Sequence, residues 1–206
     1  MQVIKGKTMK KILVVNGHTR NQTYVGALAD RYAEEATKSG AEVQVLNLRD
    51  VPLEAFLKFS HAGTNDDVYP AEMAVLHQQL LWADHIVLIY PIWWGLPTGL
   101  MKTYIEVAFA PKVAFKYLPP KNGIVRWEKL LTGKTARVIA TIDSPPWYYI
   151  WVRGDANGRG LKRSILGFCG ITKIAVNYFG SIKTSTLQQR NKWLDQVGAF
   201  GTRDAS

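Results

Sequence analysis

The chain has 206 residues, of which 47% are hydrophobic and 20% are charged, a balance that excludes a disordered polypeptide and is typical of one globular domain with a sizeable core. Its net charge of +10 is unevenly spread, because residues 1–111 hold 10 basic and 11 acidic side chains (net −1) and residues 112–206 hold 16 and 5 (net +11). The one cysteine, Cys169, excludes an intramolecular disulfide and a cysteine-based zinc site, and we expect it to be a small buried side chain.

The N-terminus and the most apolar segment show no sign of membrane insertion. Residues 1–10 are polar and lysine-rich, without the apolar region of a signal peptide, so we expect a flexible lead there. The longest stretch without Lys, Arg, Asp or Glu, His85 to Met101, is 17 residues long and interrupted by prolines and glycines, whereas a spanning helix needs about 20 continuous apolar residues. We therefore predict no membrane span and a cytoplasmic location.

Apolar runs and helical periodicities alternate along the chain. Short runs rich in β-branched residues predict strands over 11–16, 42–48, 85–90, 135–142 and 174–179. Helical spacing predicts helices over about 25–36, 71–83, 100–108, 161–168 and 184–200. Ser185 and Gln188 resemble a capping box at the start of the last helix. This alternation predicts a parallel sheet covered on both faces, and segments 51–70, 111–133 and 143–160 are long enough to be functional or to hold additional structure.

The loop after the first strand is suited to bind an anion. It leads into a predicted helix N-terminus, where free N–H groups and the helix dipole attract negative charge. No Asp or Glu occurs between Lys11 and Val25. Hydroxyl, imidazole and guanidinium groups of the loop add donors and positive charge, and the candidate phosphate-binding residues are His18, Thr19, Arg20, Thr23 and Tyr24. The alternative is an ordinary polar loop with Thr23 as the helix cap.

Two common nucleotide-binding signatures do not fit. The first strand is not followed by G-x-G-x-x-G, so the dinucleotide fingerprint is missing. Gly133-Lys134-Thr135 matches the end of a Walker A motif, but Glu128 stands where its first glycine is required, and the strand follows the motif instead of preceding it. A P-loop nucleotidase is excluded.

The loop after the third strand, residues 90–97, is aromatic and apolar. Exposed aromatic side chains are costly unless they cover a flat apolar ligand or another subunit, and Gly95 lets a backbone approach closely. The candidate ring-binding residues are Pro91, Ile92, Trp93, Trp94 and Gly95. A core or dimer-interface cluster is the alternative. Phosphate donors after one strand and an aromatic loop after another together suit a flavin mononucleotide.

On these two motifs the chain resembles the flavodoxin-like NAD(P)H:quinone oxidoreductases and related NADPH-dependent flavin reductases, and the likeness in element order extends over residues 11–200. KILVVNGHTRNQTYVGALADRY is similar to that family's strand, phosphate loop and helix, with His18, and Arg20 with Thr23, at its recurring histidine or Arg-x-x-Ser element. WADHIVLIYPIWWGLPTGLMKTYIEVAF is similar to its flavin-ring loop and the helix that follows.

The resemblance implies a flavodoxin-like α/β three-layer sandwich, with a five-stranded parallel sheet of order 2-1-3-4-5 and one flavin-binding domain over residues 11–203. It also implies hydride transfer from NAD(P)H through bound FMN (or FAD) to a quinone-like or other small acceptor, in a homodimer with the site at the interface. Since the cofactor supplies the chemistry, we expect no metal site and no nucleophilic triad.

The chain departs from the mammalian-type quinone reductases after the fourth strand. Where those enzymes carry Thr-Thr-Gly-Gly, this chain has Thr-Ile-Asp-Ser-Pro-Pro at residues 141–146. Asp143 and Ser144 are expected to contact the edge of the flavin ring. Tyr148 or Tyr149 is the nearest candidate for a catalytic hydroxyl over the substrate, and a structural tyrosine is the alternative.

Two other classes of function are considered. A flavin-binding regulatory or electron-transfer partner without significant turnover is compatible with the same motifs. A nucleic-acid partner would use the basic second half, but the clustered Arg153, Arg159, Lys162 and Arg163 have no recognised nucleic-acid motif beside them. We therefore expect no nucleic-acid partner and interpret this charge as steering of an anionic nicotinamide nucleotide, with solubility as the alternative.

Overall fold

The protein is built on a five-stranded parallel sheet, and the computed structural model describes residues 9–56 and 69–206. The strands are β1 (Lys11–Asn16), β2 (Glu42–Asn47), β3 (His85–Pro91), β4 (Phe115–Lys121), β5 (Ile124–Lys129), β6 (Thr135–Thr141) and β7 (Lys173–Phe179). The sheet has the order β2-β1-β3-β6-β7, and β4 and β5 form a separate antiparallel pair. Counted along the chain, the five sheet strands have the predicted order 2-1-3-4-5, which confirms the flavodoxin-like fold.

Helices cover both faces of the sheet. They are α1 (Tyr24–Lys38), α2 (Leu53–Phe56), α3 (Ala71–Trp82), α4 (Gly99–Ala108), α5 (Ala156–Arg159), α6 (Gly167–Cys169) and α7 (Leu187–Asp204). Helices α1 and α7 pack together on one face. Helices α3 and α4, and the segment that contains α5 and α6, cover the other. Short 3-10 turns lie at Leu48–Asp50 and Ile182–Thr184, and π-helical turns at Tyr148–Val152 and Gly160–Leu166.

The central strands are mostly apolar because each side of them meets a helix layer. In β1, Ile12 and Val14 pack in the cluster formed with α1 and α7, whereas Leu13 and Val15 pack in the opposite cluster. All four side chains are 0% exposed, and full burial of each stabilises the fold by about 1.5–3 kcal/mol. A continuous apolar run is therefore what a strand buried on both faces requires.

The segment 111–133 contains structure that the sequence interpretation did not assign. Strands β4 and β5 are joined by Asn122 and Gly123, whose φ angles of 53° and 74° are those of the type I′ turn that Asn-Gly pairs favour. Trp127 attaches the hairpin to the core, since its ring stacks on Phe168 at 4.5 Å and its Nε1 donates to the Phe168 carbonyl at 3.1 Å. The remaining β5 side chains are exposed.

The predicted capping box of the last helix is wrong. Helix α7 begins at Leu187, and its cap is Thr186, whose Oγ1 accepts from the backbone N–H of Gln189 at 3.1 Å. Ser185 instead donates its hydroxyl to the carbonyl of Ile182 at 2.7 Å. The Ser185 oxygen accepts from Arg190 Nε at 2.9 Å, so it bonds a side chain of the helix and does not cap the backbone.

A buried ion cluster ties the end of α7 to the amino ends of the strands. The Arg137 guanidinium donates to Asp204 from Nε at 2.5 Å and from Nη2 at 2.9 Å. The Tyr32 hydroxyl also donates to Asp204, at 2.7 Å, and His85 Nε2 lies 3.2 Å from the same carboxylate. Burial alone would raise the pKa of Asp204, but hydrogen bonds from Arg137 and His85 hold it well below its usual range.

Three smaller expectations concern the chain ends, the thiol and the membrane. Residues 1–8 of the predicted flexible lead and residues 57–68 of the long segment after β2 lie outside the described residues. Cys169 is buried, and burial raises the pKa of its thiol to about 12, as expected of a small apolar side chain. Within residues 9–56 and 69–206, no helix combines the length and apolar character needed to cross a membrane.

Candidate functional site

A cleft of about 290 Å3 opens at the carboxyl ends of β1, β3 and β6, beside the position where the strand order reverses. Backbone hydrogen bonds of 2.8 Å hold its loops together, from Gly17 N to the Ile89 carbonyl and from Ile92 N to the Thr141 carbonyl. Its lining is His18, Arg20, Tyr24, Val25, Pro91, Ile92, Trp93, Thr141, Ile142, Asp143, Ile182 and Lys183. We call it the ring cleft.

Asn16, at the end of β1, sets the shape of the loop that follows. Its Oδ1 accepts from the backbone N–H of His18 at 3.1 Å, and its Nδ2 donates to Asn47 Oδ1 at 3.0 Å. His18 Nδ1 in turn accepts from the backbone N–H of Arg20 at 3.0 Å. The loop conformation is therefore fixed by side chains buried at the ends of two adjacent strands.

His18 is a neutral donor at this site. Burial lowers the pKa of His18, and the charges of Arg20 and Arg49 lower it further. Because Nδ1 accepts a hydrogen bond, the ring proton lies on Nε2, which remains available to donate. The imidazole meets Trp93 edge to face at 5.9 Å. The positive charge expected of this loop is therefore left to Arg20, and His18 joins the first loop to the aromatic loop as an uncharged side chain.

The N-terminus of α1 has the features of an anion site. Thr23 caps the helix, since its Oγ1 accepts from Gly26 N at 3.2 Å. The cap uses the oxygen as an acceptor and leaves the hydroxyl proton free to donate. The first turn of α1 contains no acidic residue, so the positive end of the helix dipole is not neutralised. Thr19 and Arg20 are exposed just before it.

Two arginines that sequence reasoning missed add positive charge to this region. Arg49 and Arg190 line a second, polar cleft of about 500 Å3 together with Thr23 and Tyr24. The Tyr24 hydroxyl donates to the Arg190 carbonyl at 2.8 Å, and burial raises its pKa to about 12. The placement of Arg49 was readable, because it directly follows β2, the neighbour of β1 in the sheet. Nothing in the sequence indicated that the last helix would bring Arg190 here.

The aromatic loop is a tight turn whose two tryptophans differ in their exposure to solvent. Trp93 and Leu96 exchange two backbone hydrogen bonds of 3.1 Å, and Trp94 and Gly95 between them have φ angles of 55° and 81°. These are the angles of a type I′ turn, and a non-glycine residue in this region costs on the order of 1–2 kcal/mol. Trp93 lines the ring cleft, whereas Trp94 is fully exposed.

The glycine that allows a close approach is Gly17. A Cβ at Gly17 would lie 2.7 Å from Met101 Cε and 3.1 Å from the Cβ atoms of Met101 and Tyr90, so the Met101 side chain would have to move and both Cβ atoms would have to give by a few tenths of an ångström. A Cβ at Gly95 would meet nothing within 4 Å. The turn requires the positive φ of Gly95, and its role in a close approach of a ligand stays a prediction.

The loop after β6 completes the ring cleft with a charged pair. Asp143 forms an ion pair of 2.9 Å with Lys183, and both side chains are largely exposed. Lys183 follows β7, the strand adjacent to β6, and sequence reasoning did not select it. Ser144 is half-buried beside the cleft and lies outside the lining given above.

The two candidate catalytic tyrosines have different surroundings. The Tyr149 hydroxyl donates to the Gly95 carbonyl at 2.6 Å and accepts from Asn157 N at 3.1 Å. Its single O–H is therefore committed to the aromatic loop, which favours the structural alternative. Tyr148 is 38% exposed and packs edge to face against Trp147, so its side chain borders solvent.

The predicted site residues thus fall into two groups. Those that meet in the ring cleft are His18, Arg20, Tyr24, Pro91, Ile92, Trp93 and Asp143. Those that lie around it are Thr19, Thr23, Trp94, Gly95, Ser144, Tyr148 and Tyr149. Within the described part of the chain, no group of three or more His, Cys, Asp or Glu side chains is placed to hold a metal ion.

Comparison with known proteins places this site in a family. The Flavodoxin_2 family model, described as a flavodoxin-like fold, matches residues 10–199. An uncharacterized NAD(P)H oxidoreductase of Haemophilus influenzae is 26% identical over 174 residues, which cover 82% of this chain and 83% of that protein.

Solved structures agree with the family match. The crystal structure of Smu.1420 from Streptococcus mutans UA159 is similar with a TM-score of 0.79 and 27% identity, over 94% of this chain and 99% of that one. An FMN-dependent NADH-azoreductase from Bacillus anthracis, crystallised with FMN, has a TM-score of 0.71 over 96% of this chain and 100% of that one. Because its sequence identity is 18%, the similarity to the azoreductase shows the fold alone.

Proposed function

The chain belongs to the Flavodoxin_2 family of flavodoxin-like proteins, and from this premise we propose that it is a flavin-dependent NAD(P)H oxidoreductase. It passes two electrons from NAD(P)H through bound FMN (or FAD) to a quinone-like or other small acceptor. The observation that carries the proposal is the meeting, in one cleft, of residues from an anion-binding helix N-terminus and an aromatic loop. The relationship to the Haemophilus influenzae NAD(P)H oxidoreductase supports the same activity.

The donor set fits a flavin nucleotide. A phosphate is suited to the N-terminus of α1, with the free hydroxyl proton of Thr23, the Nε2–H of His18 and the charge of Arg20 around it. A flat apolar ring is suited to the wall formed by Ile92 and Trp93. When bound, the flavin supplies the two-electron chemistry, which no side chain of the site provides.

The protein's own residues position the reactants. Trp93 and Ile92 provide a dry surface, Asp143 and Ser144 present polar groups to the ring edge, and Thr19 adds a hydroxyl beside the phosphate. Lys183 neutralises Asp143 and leaves the edge of the cleft without net charge from this pair.

FMN is the proposed cofactor, and FAD is its alternative. The fold neighbour from Bacillus anthracis was crystallised with FMN, and the ring cleft together with the α1 N-terminus accounts for a ring and one phosphate. NAD(P)H is the co-substrate. Of the two tyrosines, Tyr148 is the candidate for a hydroxyl over the substrate, because Tyr149 holds the loop.

We propose that residues 11–203 form one flavin-binding domain and that two such domains form a homodimer. The exposed apolar side chains of the hairpin support this, since Ile124 and Val125 are 67% and 62% exposed and surfaces of this kind favour burial against a partner. Sedimentation of the purified protein tests the assembly. A cytoplasmic location and the lack of a nucleic-acid partner stay predictions.

The alternative, a flavin-binding regulatory or electron-transfer partner without significant turnover, is not favoured. Known relatives of the chain are described as NAD(P)H oxidoreductases.

The test combines a spectrum with turnover. Purified protein is expected to show flavin absorption and to release FMN that mass spectrometry identifies, and NAD(P)H is expected to be oxidised when a quinone is added. Arg20→Gln is expected to weaken FMN binding. Arg31→Gln is the matched control, because it removes a half-buried arginine that lies about two turns further along α1 and pairs with Glu35 at 3.4 Å. Failure of apoprotein to bind flavin on reconstitution would overturn the proposal.

A further inference from the structure

A buried polar network outside the ring cleft ends on the aromatic loop. Asn157 is 2% exposed, and its Oδ1 accepts from the Tyr90 hydroxyl at 2.8 Å while its Nδ2 donates to the Tyr178 hydroxyl at 3.2 Å. Its backbone N–H donates to the Tyr149 hydroxyl at 3.1 Å. One asparagine therefore joins β3, β7 and the π-helical turn after β6.

Each hydrogen bond of the network has a defined donor and acceptor, from Asp155 at one end to the Gly95 carbonyl at the other. The Tyr178 hydroxyl donates to Asp155, which also caps α5 by accepting from Gly158 N at 3.1 Å. At the other end the Tyr149 hydroxyl donates to the Gly95 carbonyl at 2.6 Å. Burial raises the pKa of Tyr149 and that of Tyr178, so both remain phenols at neutral pH and the donors keep their roles.

The hydrogen bond from Tyr149 reaches a carbonyl that the turn's own hydrogen bonds leave unused, that of Gly95. The two backbone hydrogen bonds of the turn join Trp93 and Leu96, and neither uses the Gly95 carbonyl. Trp94 and Gly95 both occupy the left-handed region, which is unfavourable for Trp94. The bond from Tyr149 therefore holds the carbonyl side of the Gly95–Leu96 peptide, whose N–H already bonds the Trp93 carbonyl, and so fixes this peptide from both sides.

We propose that Tyr149 and Asn157 are positioning residues that hold the turn in its left-handed form, and thereby set the affinity of the protein for the flavin ring. The proposal rests on the proposed function for its ligand and on the geometry above for its mechanism. Asp155 anchors the far end of the network. The network acts through the loop backbone, so Tyr149 has no part in proton transfer.

Tyr149→Phe tests the proposal, because it removes the O–H and keeps the ring. Without flavin, amide hydrogen exchange of residues 91–97 is expected to accelerate by about tenfold, the equivalent of one lost hydrogen bond. In fluorescence titrations, the Kd of the apoprotein for FMN is expected to rise by a comparable factor. Tyr178→Phe breaks the network at Asp155 and leaves the Gly95 contact intact, so both effects are expected with smaller size.

Tyr32→Phe is the matched control. It also removes a buried phenol hydroxyl, which donates to Asp204 at 2.7 Å, but at the opposite end of the sheet. It is expected to leave exchange in the loop and FMN affinity unchanged. Equal changes in Tyr32→Phe and Tyr149→Phe, or no change in Tyr149→Phe, would overturn the positioning role. If wild-type apoprotein bound no FMN, the proposed function would fail, and exchange in the loop would still decide whether the network holds the turn.

Discussion

Replacement of Asp204 by asparagine is expected to destabilise the fold by about 3 kcal/mol, the lower part of the range for removing one partner of a buried ion pair. The side chains of Arg137 and Asp204 are only 7% and 10% exposed, so the remaining guanidinium would keep its charge in a poorly solvated place. The free-energy cost of the substitution stays at the lower end of this range because Arg137 keeps two other contacts. It retains a 2.7 Å hydrogen bond to Asn177, and its guanidinium carbon lies 4.3 Å from the Phe200 ring centroid.

The assay is urea unfolding of both proteins across a pH series. Hydrogen bonds hold the folded-state pKa of Asp204 below its unfolded value, so the ionised carboxylate adds stability that is fully present above about pH 4. This contribution is lost as the pH falls through the folded-state pKa. Wild-type protein is therefore expected to lose stability on acidification below about pH 4, and Asp204→Asn is expected to lose less over the same interval.

Glu34→Gln is the control, because it removes an exposed ion pair with Lys38 and is expected to unfold like the wild type. A loss below about 1 kcal/mol for Asp204→Asn would be typical of a surface salt bridge. That result, or parallel pH profiles for the two proteins, would refute the argument from burial.

Three further outcomes are expected. Gly17→Ala should lower stability by about 1 kcal/mol through overpacking against the Cβ atoms of Met101 and Tyr90 and weaken FMN binding, as thermal unfolding and titration will measure; an unchanged Tm would contradict the close approach. Thr23→Ala should cost about 1 kcal/mol by loss of the α1 cap and also weaken FMN binding, whereas unaltered urea unfolding would argue against the cap. Neutralising the exposed basic cluster should raise the KM for NAD(P)H and reduce its salt dependence in steady-state kinetics, and an unchanged KM would leave these charges with a role in solubility alone. The cluster is Arg153, Arg159, Lys162 and Arg163.

The sheet was predictable from sequence because its pattern is enforced by burial on two sides. Strands such as 85–91 are buried at every position and largely apolar, and only a parallel sheet between helix layers accommodates several such runs. The hairpin of β4 and β5 was not predicted because its strands are mostly exposed and carry no such apolar pattern. Asn122 and Gly123 are a turn signal that was present in the sequence and was not used. The start of the last helix was predicted three residues too early, at 184 instead of Leu187, because several adjacent hydroxyl residues compete for the cap.

The site was predictable in part, for a related reason. Loops that follow adjacent parallel strands must meet at one edge, so His18, Trp93 and Asp143 were correctly expected near one another. No comparable rule predicts contacts between side chains that are distant in the sequence. The bond from Tyr149 to Gly95 joins residues 54 positions apart, and Asn157 carries no local pattern that distinguishes a buried network centre from a loop asparagine.

The ion cluster around Asp204 and the ring cleft lie at opposite ends of the same strands. Strands of six or seven residues separate them by about 20 Å, well beyond the distance at which substitutions usually affect one another. The effects of substitutions at the two edges on the free energy of unfolding should therefore be additive. The acceptor preference of the protein can be redesigned in the loops while thermal tolerance is raised independently at the other edge, which makes this chain a suitable scaffold for directed evolution.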